Sequence, residues 1–434
     1  MLKGQFPVEK FAFLRTPFYY YDLPLLRRTL DKIRECIEPY PQFHVHYAVK
    51  ANFNGRILQE ISRCGFGADC VSGGEVRAAL QNGFAPESIV YAGVGKSDEE
   101  ILLALDAGIA RFNVESAAEL EVINELALSR GVVAPVSLRV NPDIGAHTHA
   151  NITTGLAENK FGINYEQLPG VIELADSLPG VEYKGLHFHI GSQILEMDDF
   201  VALCNRINVL AEQILRQRRG RLVPAASSAA AVGYSSSAVG SAGVSGSGVA
   251  AGVSGSGAVA GVAGAAASVL GDINVGGGLG INYYHPNHLD VAEFSQYFET
   301  FARHLKLPEG TPVHFELGRS VVAPCGSLIS RVLYIKEGTT RRFAIIDASM
   351  TELIRPALYK AYHRVENISS YEPEEVYDVV GPVCESSDVF AKGVSIDKCH
   401  RGDFIAIRSA GAYGESMSSQ YNCRPLPACF FKED

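Results

Sequence analysis

The sequence lacks the features typical of nucleic-acid-binding, secreted and membrane-spanning proteins. It has no basic surplus, since 38 Lys and Arg stand against 48 Asp and Glu and the net charge is −10. Without a basic run or a weave of basic and aromatic residues, we expect no nucleic acid as a partner. The N-terminal stretch MLKGQFPVEKFAFLR has no apolar core of the kind found in signal peptides. A cytoplasmic protein with no membrane partner is therefore predicted.

The sequence also lacks a recognisable cysteine pattern. Its nine cysteines are scattered along the chain, and no two of them form a CxxC pair. This arrangement indicates neither a zinc site nor a disulfide framework, and it is typical of a reducing compartment. We therefore predict no metal.

One long segment lacks charge altogether. Between Val223 and Gly271, 46 of 49 residues are Ala, Gly, Ser or Val. Its repeats have neither helical nor strand periodicity, and it is too rich in Gly and Ser for a membrane span. A flexible insertion is the first interpretation, and a β-forming segment that pairs at a sheet edge is the alternative. Because it lies between a predicted helix and a predicted strand, we expect it at the face of the fold opposite the chemistry.

The rest of the chain alternates between strand-like and helix-like segments up to about residue 320. The candidate strands are 44–51, 67–72, 88–93, 111–116, 136–141, 183–191, 272–278 and 312–320. Amphipathic segments such as 97–108 and 115–131 separate them. Eight strands that alternate with helices predict a closed (β/α)8 barrel, with an open doubly wound α/β sheet as the structural alternative.

The rhythm changes after residue 320, where short apolar runs are separated by turn residues. This pattern predicts a mostly antiparallel β domain, and the early segment FAFLRTPFYYYDL is suited to supply one of its strands. The predicted division is a barrel domain at 25–318, which contains the insertion 223–271, and a β domain at 319–434 that includes the N-terminal strand of 1–24.

Polar side chains gather where the predicted barrel strands end. Lys50 ends the first strand, and alternation places His187 and His189 on one face of a later strand. Glu316 lies on the last strand, and Arg319 follows at its end. Because the carboxyl ends of barrel strands meet at one mouth, we expect these side chains to converge there.

A run of three glycines follows the predicted seventh strand. Gly276, Gly277 and Gly278 allow the backbone to approach a ligand closely, and their N–H groups are suited to bind an anion. Barrel phosphate sites often use this loop, with Ser192 and Arg319 as further donors. Such a run is also common in simple turns, so both interpretations stay open.

Each of these residues also has an ordinary structural interpretation. Lys50 could extend its amine into solvent from a strand end, and the two histidines could be satisfied core residues or metal ligands. Glu316 and Arg319 could form a structural ion pair, and Cys384 could be a small buried apolar residue. No third metal ligand is evident beside the histidines. The structural interpretations would leave several costly polar groups in one mouth without a purpose.

Together these groups fit the needs of pyridoxal phosphate. That cofactor requires a lysine for a covalent link, an anion site for its phosphate and a partner for its ring nitrogen. A carboxylate partner keeps the ring nitrogen protonated and the ring electron-withdrawing. We also expect burial to lower the pKa of Lys50, which would make its amine easier to deprotonate.

These residues carry a resemblance to a known family. The motifs, in chain order, are YAVKAN, GFGADCVSGGE, RVNPDIGAHTHANITTGLAENKFGI, HFHIGSQ, NVGGGLGI, FELGR, LIRPALYKAYH, GPVCESSD and GAYGESMSSQYN. With them the chain resembles the diaminopimelate decarboxylases, which are pyridoxal-phosphate enzymes of the alanine-racemase-like fold type III. The resemblance covers nearly the whole chain except the segment 223–271.

The resemblance implies a role for each candidate residue. Lys50 would bind the cofactor covalently, His189 would stack on its ring, and Glu316 would meet the ring nitrogen. The residues implied around the phosphate or the adjacent substrate are Ser192, Gly276, Gly277, Gly278, Arg319 and Tyr413. Cys384 would donate the proton that replaces CO2, across the interface of a homodimer.

Charge argues for the substrate. Diaminopimelate carries an ammonium and a carboxylate at the end remote from the reaction, whereas ornithine and lysine carry only an amine there. Arg355 and Arg319 are suited to bind that carboxylate, Tyr359 to add a hydroxyl, and Glu385 to pair with the ammonium. The resemblance assigns the same roles. The alternative for Arg355 is a solvated surface charge.

The predicted function is decarboxylation of meso-2,6-diaminopimelate to L-lysine, the last step of lysine biosynthesis. The alternatives are decarboxylation of carboxynorspermidine, ornithine or arginine, and a non-catalytic cofactor-binding relative. Leu317 stands where the family commonly has proline, and Ser349 where it commonly has glycine. We expect Leu317 to leave the cofactor contact of Glu316 intact and Ser349 to strain a tight turn.

Overall fold

Two β-sheets form the framework of the protein. The computed structural model describes residues 6–144, 160–222, 269–286 and 291–433. The predicted insertion therefore lies outside the described residues, except for its last three positions. Within the described ranges no helix is both long and apolar enough to cross a membrane. The first strand, β1 (Phe18–Asp22), joins the second sheet and not the first.

The first sheet is a closed parallel barrel. Its strands are β2 (Phe43–Ala48), β3 (Gly67–Cys70), β4 (Ile89–Tyr91), β5 (Arg111–Val114), β6 (Ala134–Asn141), β7 (Ile163–Asn164), β8 (Val181–His187), β9 (Asp272–Asn274) and β10 (Val313–Leu317). The order is β5-β4-β3-β2-β10-β9-β8-β6, and a pairing of β5 with β6 closes the ring. All eight predicted strands are confirmed, and the two-residue β7 is an addition that pairs with β6.

Helices alternate with these strands as the sequence pattern predicted. The α-helices are Val8–Phe11, Leu23–Ile37, Gly55–Arg63, Gly73–Gln81, Asp98–Ala107, Ala117–Arg130, Leu168–Ser177, Met197–Leu222, Val291–His304, Arg319–Val322 and Arg355–Tyr359. Ser72, Ser97 and Ser116 each cap the helix that follows, because the hydroxyl accepts a backbone N–H of the first turn. The closed barrel, and not the open doubly wound sheet, is thus the observed architecture.

The second sheet combines a strand from the N-terminal part of the chain with strands from its C-terminal part. Besides β1 its strands are β11 (Gly326–Glu337), β12 (Arg342–Ile346), β13 (Val365–Asn367), β14 (Glu374–Val380), β15 (Val389–Asp397), β16 (Phe404–Ile407) and β17 (Ala428–Lys432). Most pairings are antiparallel, whereas β1–β17 and β12–β14 are parallel. β1 pairs with both β11 and β17, so the early tyrosine-rich segment is part of this sheet.

Alternation along β10 separates the core from the barrel interior. The Phe315 ring packs outward, with its centroid 4.9 Å from that of Phe43 and 5.0 Å from that of Phe298 on the helix Val291–His304. The neighbouring Glu316 therefore faces the barrel interior, where its side chain is buried. This packing fixes the direction of the Glu316 carboxylate.

A buried chain of polar groups crosses the barrel interior below Glu316. His46 Nδ1 lies 3.2 Å from the Ser88 carbonyl, His46 Nε2 lies 2.9 Å from His314 Nδ1, and His314 Nε2 lies 3.2 Å from Asp272. Asp272 also pairs with Arg111 at 2.7 Å. Because the Ser88 carbonyl can only accept, His46 donates through Nδ1 and accepts through Nε2. Burial, together with the nearby His314, lowers the pKa of His46 to about 3.

This buried histidine is expected to make the fold sensitive to acid. Below about pH 6.5 His46 becomes protonated in the unfolded chain but stays neutral in the folded chain. The contribution of His46 to the free energy of unfolding is therefore intact above that pH and is lost as the pH falls. Relative to a His46→Asn variant, the wild-type free energy of unfolding should fall by about 2.3 kcal/mol between pH 6.5 and 4.5. Urea unfolding of both proteins across this range measures the difference.

The comparison of two proteins at each pH cancels the titration of the carboxyl groups that they share. His285→Asn serves as a control for the loss of an imidazole, because His285 is exposed and lies outside the buried chain. A wild-type and His46→Asn difference that stays constant with pH would contradict a neutral, buried His46.

Candidate active site

A cavity of about 790 Å3 lies at the carboxyl ends of the barrel strands. Its wall includes the predicted residues Lys50, His189, Arg319, Arg355 and Tyr413. A narrower recess continues inward. The residues that line this recess include Lys50, Asp69, His189, Ser192, Gly278, Glu316, Arg319 and Tyr413. The structure therefore brings most of the predicted site together within one chain.

Lys50 does not end a strand, contrary to the sequence prediction. β2 ends at Ala48, and Lys50 lies on the single 3-10 turn Val49–Ala51 that follows. Its side chain is 38% exposed, and Nζ lies 4.0 Å from Asp69 on the neighbouring β3. Burial lowers the pKa of Lys50, but the negative charges nearby, with Asp69 first among them, outweigh burial and raise the pKa. The expectation of a lowered pKa is therefore wrong.

Glu316 is held as a charged carboxylate at the base of the recess. Asn274 donates to its Oε1 at 2.8 Å, and Nε2 of His187 lies 3.2 Å from the carboxylate. Burial raises the pKa of Glu316, but the contact with His187 and the nearby His189 and Lys50 outweigh burial and hold the pKa well below its ordinary value. A permanent negative charge faces the recess, which suits a protonated ring nitrogen.

His189 provides a neutral flat ring beside Lys50. It lies two residues beyond the end of β8, and the Gly277 N–H donates to its Nδ1 at 3.3 Å. Because a backbone N–H can only donate, the ring proton is on Nε2. Burial and the positive charges of Lys50 and Arg139 hold the pKa of His189 well below its ordinary value. A neutral imidazole of this kind can stack on an aromatic ligand.

The glycine run is required by close backbone contacts. A Cβ on Gly277 would lie 1.8 Å from the Glu316 carbonyl oxygen, and one on Gly278 would lie 2.8 Å from the Gly191 carbonyl oxygen. Gly276 and Gly278 also have positive φ angles of 73° and 111°. The Gly276 and Gly277 N–H groups already have acceptors in Asn274 and His189, whereas Gly278 lines the recess.

Two buried arginines meet at the wide part of the cavity. Arg319 donates to Ser192 at 3.0 Å and to Tyr283 at 2.8 Å, and its guanidinium lies over the Tyr413 ring at 4.9 Å. Arg355 donates to the same Tyr283 oxygen at 2.8 Å and is only 5% exposed. The alternative that Arg355 is a solvated surface charge is therefore wrong. Two guanidinium groups on one cavity wall form a receptor for a carboxylate.

Tyr359 adds a hydroxyl-bearing side chain to the same wall. It lies in the helix Arg355–Tyr359, one turn beyond the arginine, and it lines the cavity. Arg139, which the sequence analysis missed, lies behind the site: its Nη1 donates to Glu115 at 2.8 Å and its guanidinium lies over Phe161 at 4.7 Å. Its place in the RVNPD stretch, at the end of β6, was the available signal.

Cys384 and Glu385 lie elsewhere in the chain. Both are exposed, and neither is among the described residues that line the cavity. The turn at 421–423 holds them: Tyr421 donates to Glu385 at 2.7 Å, and the Cys384 N–H donates to Asn422 at 3.4 Å. A single chain therefore contributes the lysine and arginines to the cavity, but not the cysteine.

The described residues offer no cluster of three or more His, Cys, Asp or Glu side chains arranged to hold a metal ion. His187 and His189 do not share a ligand geometry, because His187 contacts Glu316 and His189 accepts the Gly277 N–H.

Comparison with known proteins agrees with this geometry. Residues 26–218 match the family model of the pyridoxal-dependent decarboxylases, pyridoxal binding domain. The chain is 53% identical to the diaminopimelate decarboxylase of Bacteroides thetaiotaomicron, with 100% of both chains covered. It is 36% identical to that of Zymomonas mobilis, with 95% of this chain and 86% of the relative covered.

Solved structures show the same fold. The diaminopimelate decarboxylase of Helicobacter pylori complexed with L-lysine superposes with a TM-score of 0.81 at 34% identity, covering 98% of this chain and 94% of that one. A lysine/ornithine decarboxylase of Vibrio vulnificus complexed with putrescine has a TM-score of 0.74 at 20% identity and covers 98% of this chain and 96% of that one. The second likeness concerns the fold alone.

Proposed function

The chain belongs to the diaminopimelate decarboxylases, and we propose that it converts meso-2,6-diaminopimelate to L-lysine and CO2 with pyridoxal phosphate as its cofactor. One observation carries the choice of substrate. Arg319 and Arg355, buried and joined at one oxygen, share a cavity with Lys50. Such a receptor requires a substrate that keeps a second carboxylate away from the reacting carbon, and diaminopimelate has one.

The residues of the recess fit this cofactor. Lys50 would hold it covalently, Glu316 would meet its ring nitrogen, and the neutral His189 would lie against its ring. Asp69 Oδ1 and Arg319 Nε are buried and have no hydrogen-bond partner among the described residues. One acceptor and one donor are therefore still able to bind polar groups of a ligand here. We propose that Ser192, Gly276, Gly277, Gly278, Arg319 and Tyr413 surround the phosphate or the adjacent substrate. Gly276 and Gly277 would shape the loop there, because their N–H groups already have acceptors.

The chain's own groups divide the remaining work. When bound, pyridoxal phosphate accepts the electron pair that the departing CO2 leaves behind. The charged Glu316 carboxylate stabilises a proton on the ring nitrogen, and the arginine pair orients the substrate through its distal carboxylate. The cavity walls, which include Leu279 and Ile281, shield the reacting carbon from water. A proton must then be supplied to that carbon.

For that proton we propose a homodimer in which a second copy supplies Cys384 and Glu385. Both residues are exposed and fixed by Tyr421 and Asn422, yet neither reaches the cavity of its own chain. Cys384 Sγ would supply the proton, and Glu385 would pair with the distal ammonium of the substrate. All nine cysteines are free thiols, which supports a reducing, cytoplasmic setting.

Release of CO2 from a panel of amino acids tests the proposed substrate. We expect diaminopimelate to be decarboxylated with a kcat/KM at least about a hundredfold above those of lysine, ornithine, arginine and carboxynorspermidine, because the arginine pair is left unpaired by molecules without a second carboxylate. Comparable rates with ornithine or carboxynorspermidine would assign another substrate. No release from any of them, with the cofactor bound, would favour a non-catalytic relative.

A further inference from the structure

Tyr283 joins the two cavity arginines through a single oxygen. Its hydroxyl lies 2.8 Å from Nη1 of Arg319 and 2.8 Å from Nη1 of Arg355, although these arginines are distant in the sequence. The side chain is only 8% exposed and lines the cavity. Neither the sequence motifs nor the family resemblance gives Tyr283 a role.

The Tyr283 hydroxyl accepts two hydrogen bonds and can still donate one. Guanidinium nitrogens carry only donors, so the Tyr283 oxygen accepts from both arginines. Its own proton remains for donation, and no described residue is found to accept it. Tyr283 is therefore a donor that faces the cavity between two cations.

Each arginine also has a second partner that fixes its position. Nε2 of His363 lies 2.8 Å from Arg355 Nη1, and Nδ1 of His363 lies 2.9 Å from the Arg408 carbonyl. Because that carbonyl can only accept, His363 donates through Nδ1 and accepts from Arg355 through Nε2. Burial and the Arg355 charge lower the pKa of His363 to about 3, so this acceptor stays neutral. Arg319 is fixed in turn by Ser192.

We propose that Tyr283 is a specificity-determining residue that holds Arg319 and Arg355 as a pair and donates its own proton to the second carboxylate of the substrate. This inference rests on the proposed function, because only a substrate with that carboxylate uses the third donor. The tyrosine hydroxyl and the two guanidinium groups then form one receptor with donors on three sides.

The electrostatics of the site agree with this assignment. Burial alone would raise the pKa of Tyr283, but the two guanidinium groups outweigh burial and lower the pKa. The surroundings of the hydroxyl thus stabilise negative charge, which is the requirement for a bound carboxylate. The ring packs edge to face on His363 with centroids 5.1 Å apart, so a phenylalanine would retain the packing.

Equilibrium binding to the Tyr283→Phe holoenzyme tests the proposal. L-lysine retains the second carboxylate, whereas cadaverine is the same diamine without it. By calorimetry we expect Tyr283→Phe to weaken lysine binding by about tenfold or more and to change cadaverine binding by less than about twofold. The KM for diaminopimelate should rise with a smaller change in kcat, because the lost contact binds a part of the substrate that does not react.

Tyr297→Phe is the matched control. Tyr297 is a buried tyrosine of the helix Val291–His304, outside the cavity, and its hydroxyl has no partner among the described residues. Its variant should bind both ligands as the wild type does.

Three results would overturn the proposal. Equal loss of both ligands in Tyr283→Phe would show a structural role, and tighter lysine binding would show that the hydroxyl blocks the receptor. Unchanged lysine binding would show that it makes no contact. A failure of the proposed function would look different, because it would already be seen in the wild type. The wild type would then neither bind lysine more tightly than cadaverine nor release CO2 from diaminopimelate.

Discussion

Replacing Lys50 with alanine is expected to abolish both turnover and the visible absorbance of the bound cofactor. Lys50 is the lysine of the recess, where it lies between Asp69 and the edge of the main cavity. Without its amine no covalent link to the cofactor can form, and kcat should fall by at least about three orders of magnitude. Absorbance spectra of the purified variant and a CO2-release assay measure the two effects.

Two further variants separate chemistry from charge and burial. Lys50→Arg keeps a cation near Asp69 but has no amine to form the link, so it should be as inactive as the alanine variant. Lys184→Ala removes a lysine of equal side-chain exposure, 38%, that pairs with Glu182 outside the cavity. It should keep both colour and activity. Full activity in either Lys50 variant would exclude this lysine as the cofactor anchor.

The barrel was predictable because its pattern is local. Apolar strands that alternate with amphipathic segments identify the eight strands, and Glu316 faces the barrel interior while its neighbour Phe315 packs outside, as strand alternation requires. The predicted positions of the strand ends were less accurate, because hydrogen bonding to neighbouring strands determines where a strand ends. β2 ends at Ala48, so the direction of Lys50 results from a 3-10 turn and not from alternation.

The direction of the Lys50 pKa depends on long-range contacts. Burial can be inferred from an apolar strand, but Asp69, the first of the negative charges that together outweigh it, lies on β3 and becomes adjacent only when β3 pairs with β2. Tyr283 was missed for the same reason. Its partners Arg319 and Arg355 follow it by 36 and 72 residues, and no local spacing connects the three side chains.

The two departures from the family pattern have structural outcomes. Leu317 is 1% exposed and packs in the core, while the adjacent Glu316 keeps its contacts inside the barrel. Ser349 does not strain its turn, since it is not among the residues with positive φ. Its backbone N–H and its hydroxyl both donate to the buried Glu352, at 2.7 and 2.8 Å. The expected disturbance is therefore wrong, because the serine side chain satisfies a carboxylate there.

Replacing Cys384 with alanine is expected to preserve cofactor absorbance and to lower kcat by at least about a hundredfold, because the proton donor is lost while the recess stays intact. Cys423→Ala is the matched control, since Cys423 is also exposed and lies in the turn that holds Cys384. Normal turnover by Cys384→Ala would assign the proton to another group.

Mixing two inactive variants determines which chain supplies the cysteine. In a hybrid of Lys50→Ala and Cys384→Ala chains, one site has both defects, and the other has an intact lysine and receives an intact cysteine from its partner. After subunit exchange at equal amounts, activity should return to about a quarter of the wild-type value, because half of the dimers are hybrids with one working site. If a chain used its own Cys384, every hybrid site would carry one defect and no activity would return. The recovered rate therefore tests the homodimer and the origin of its proton donor in a single measurement.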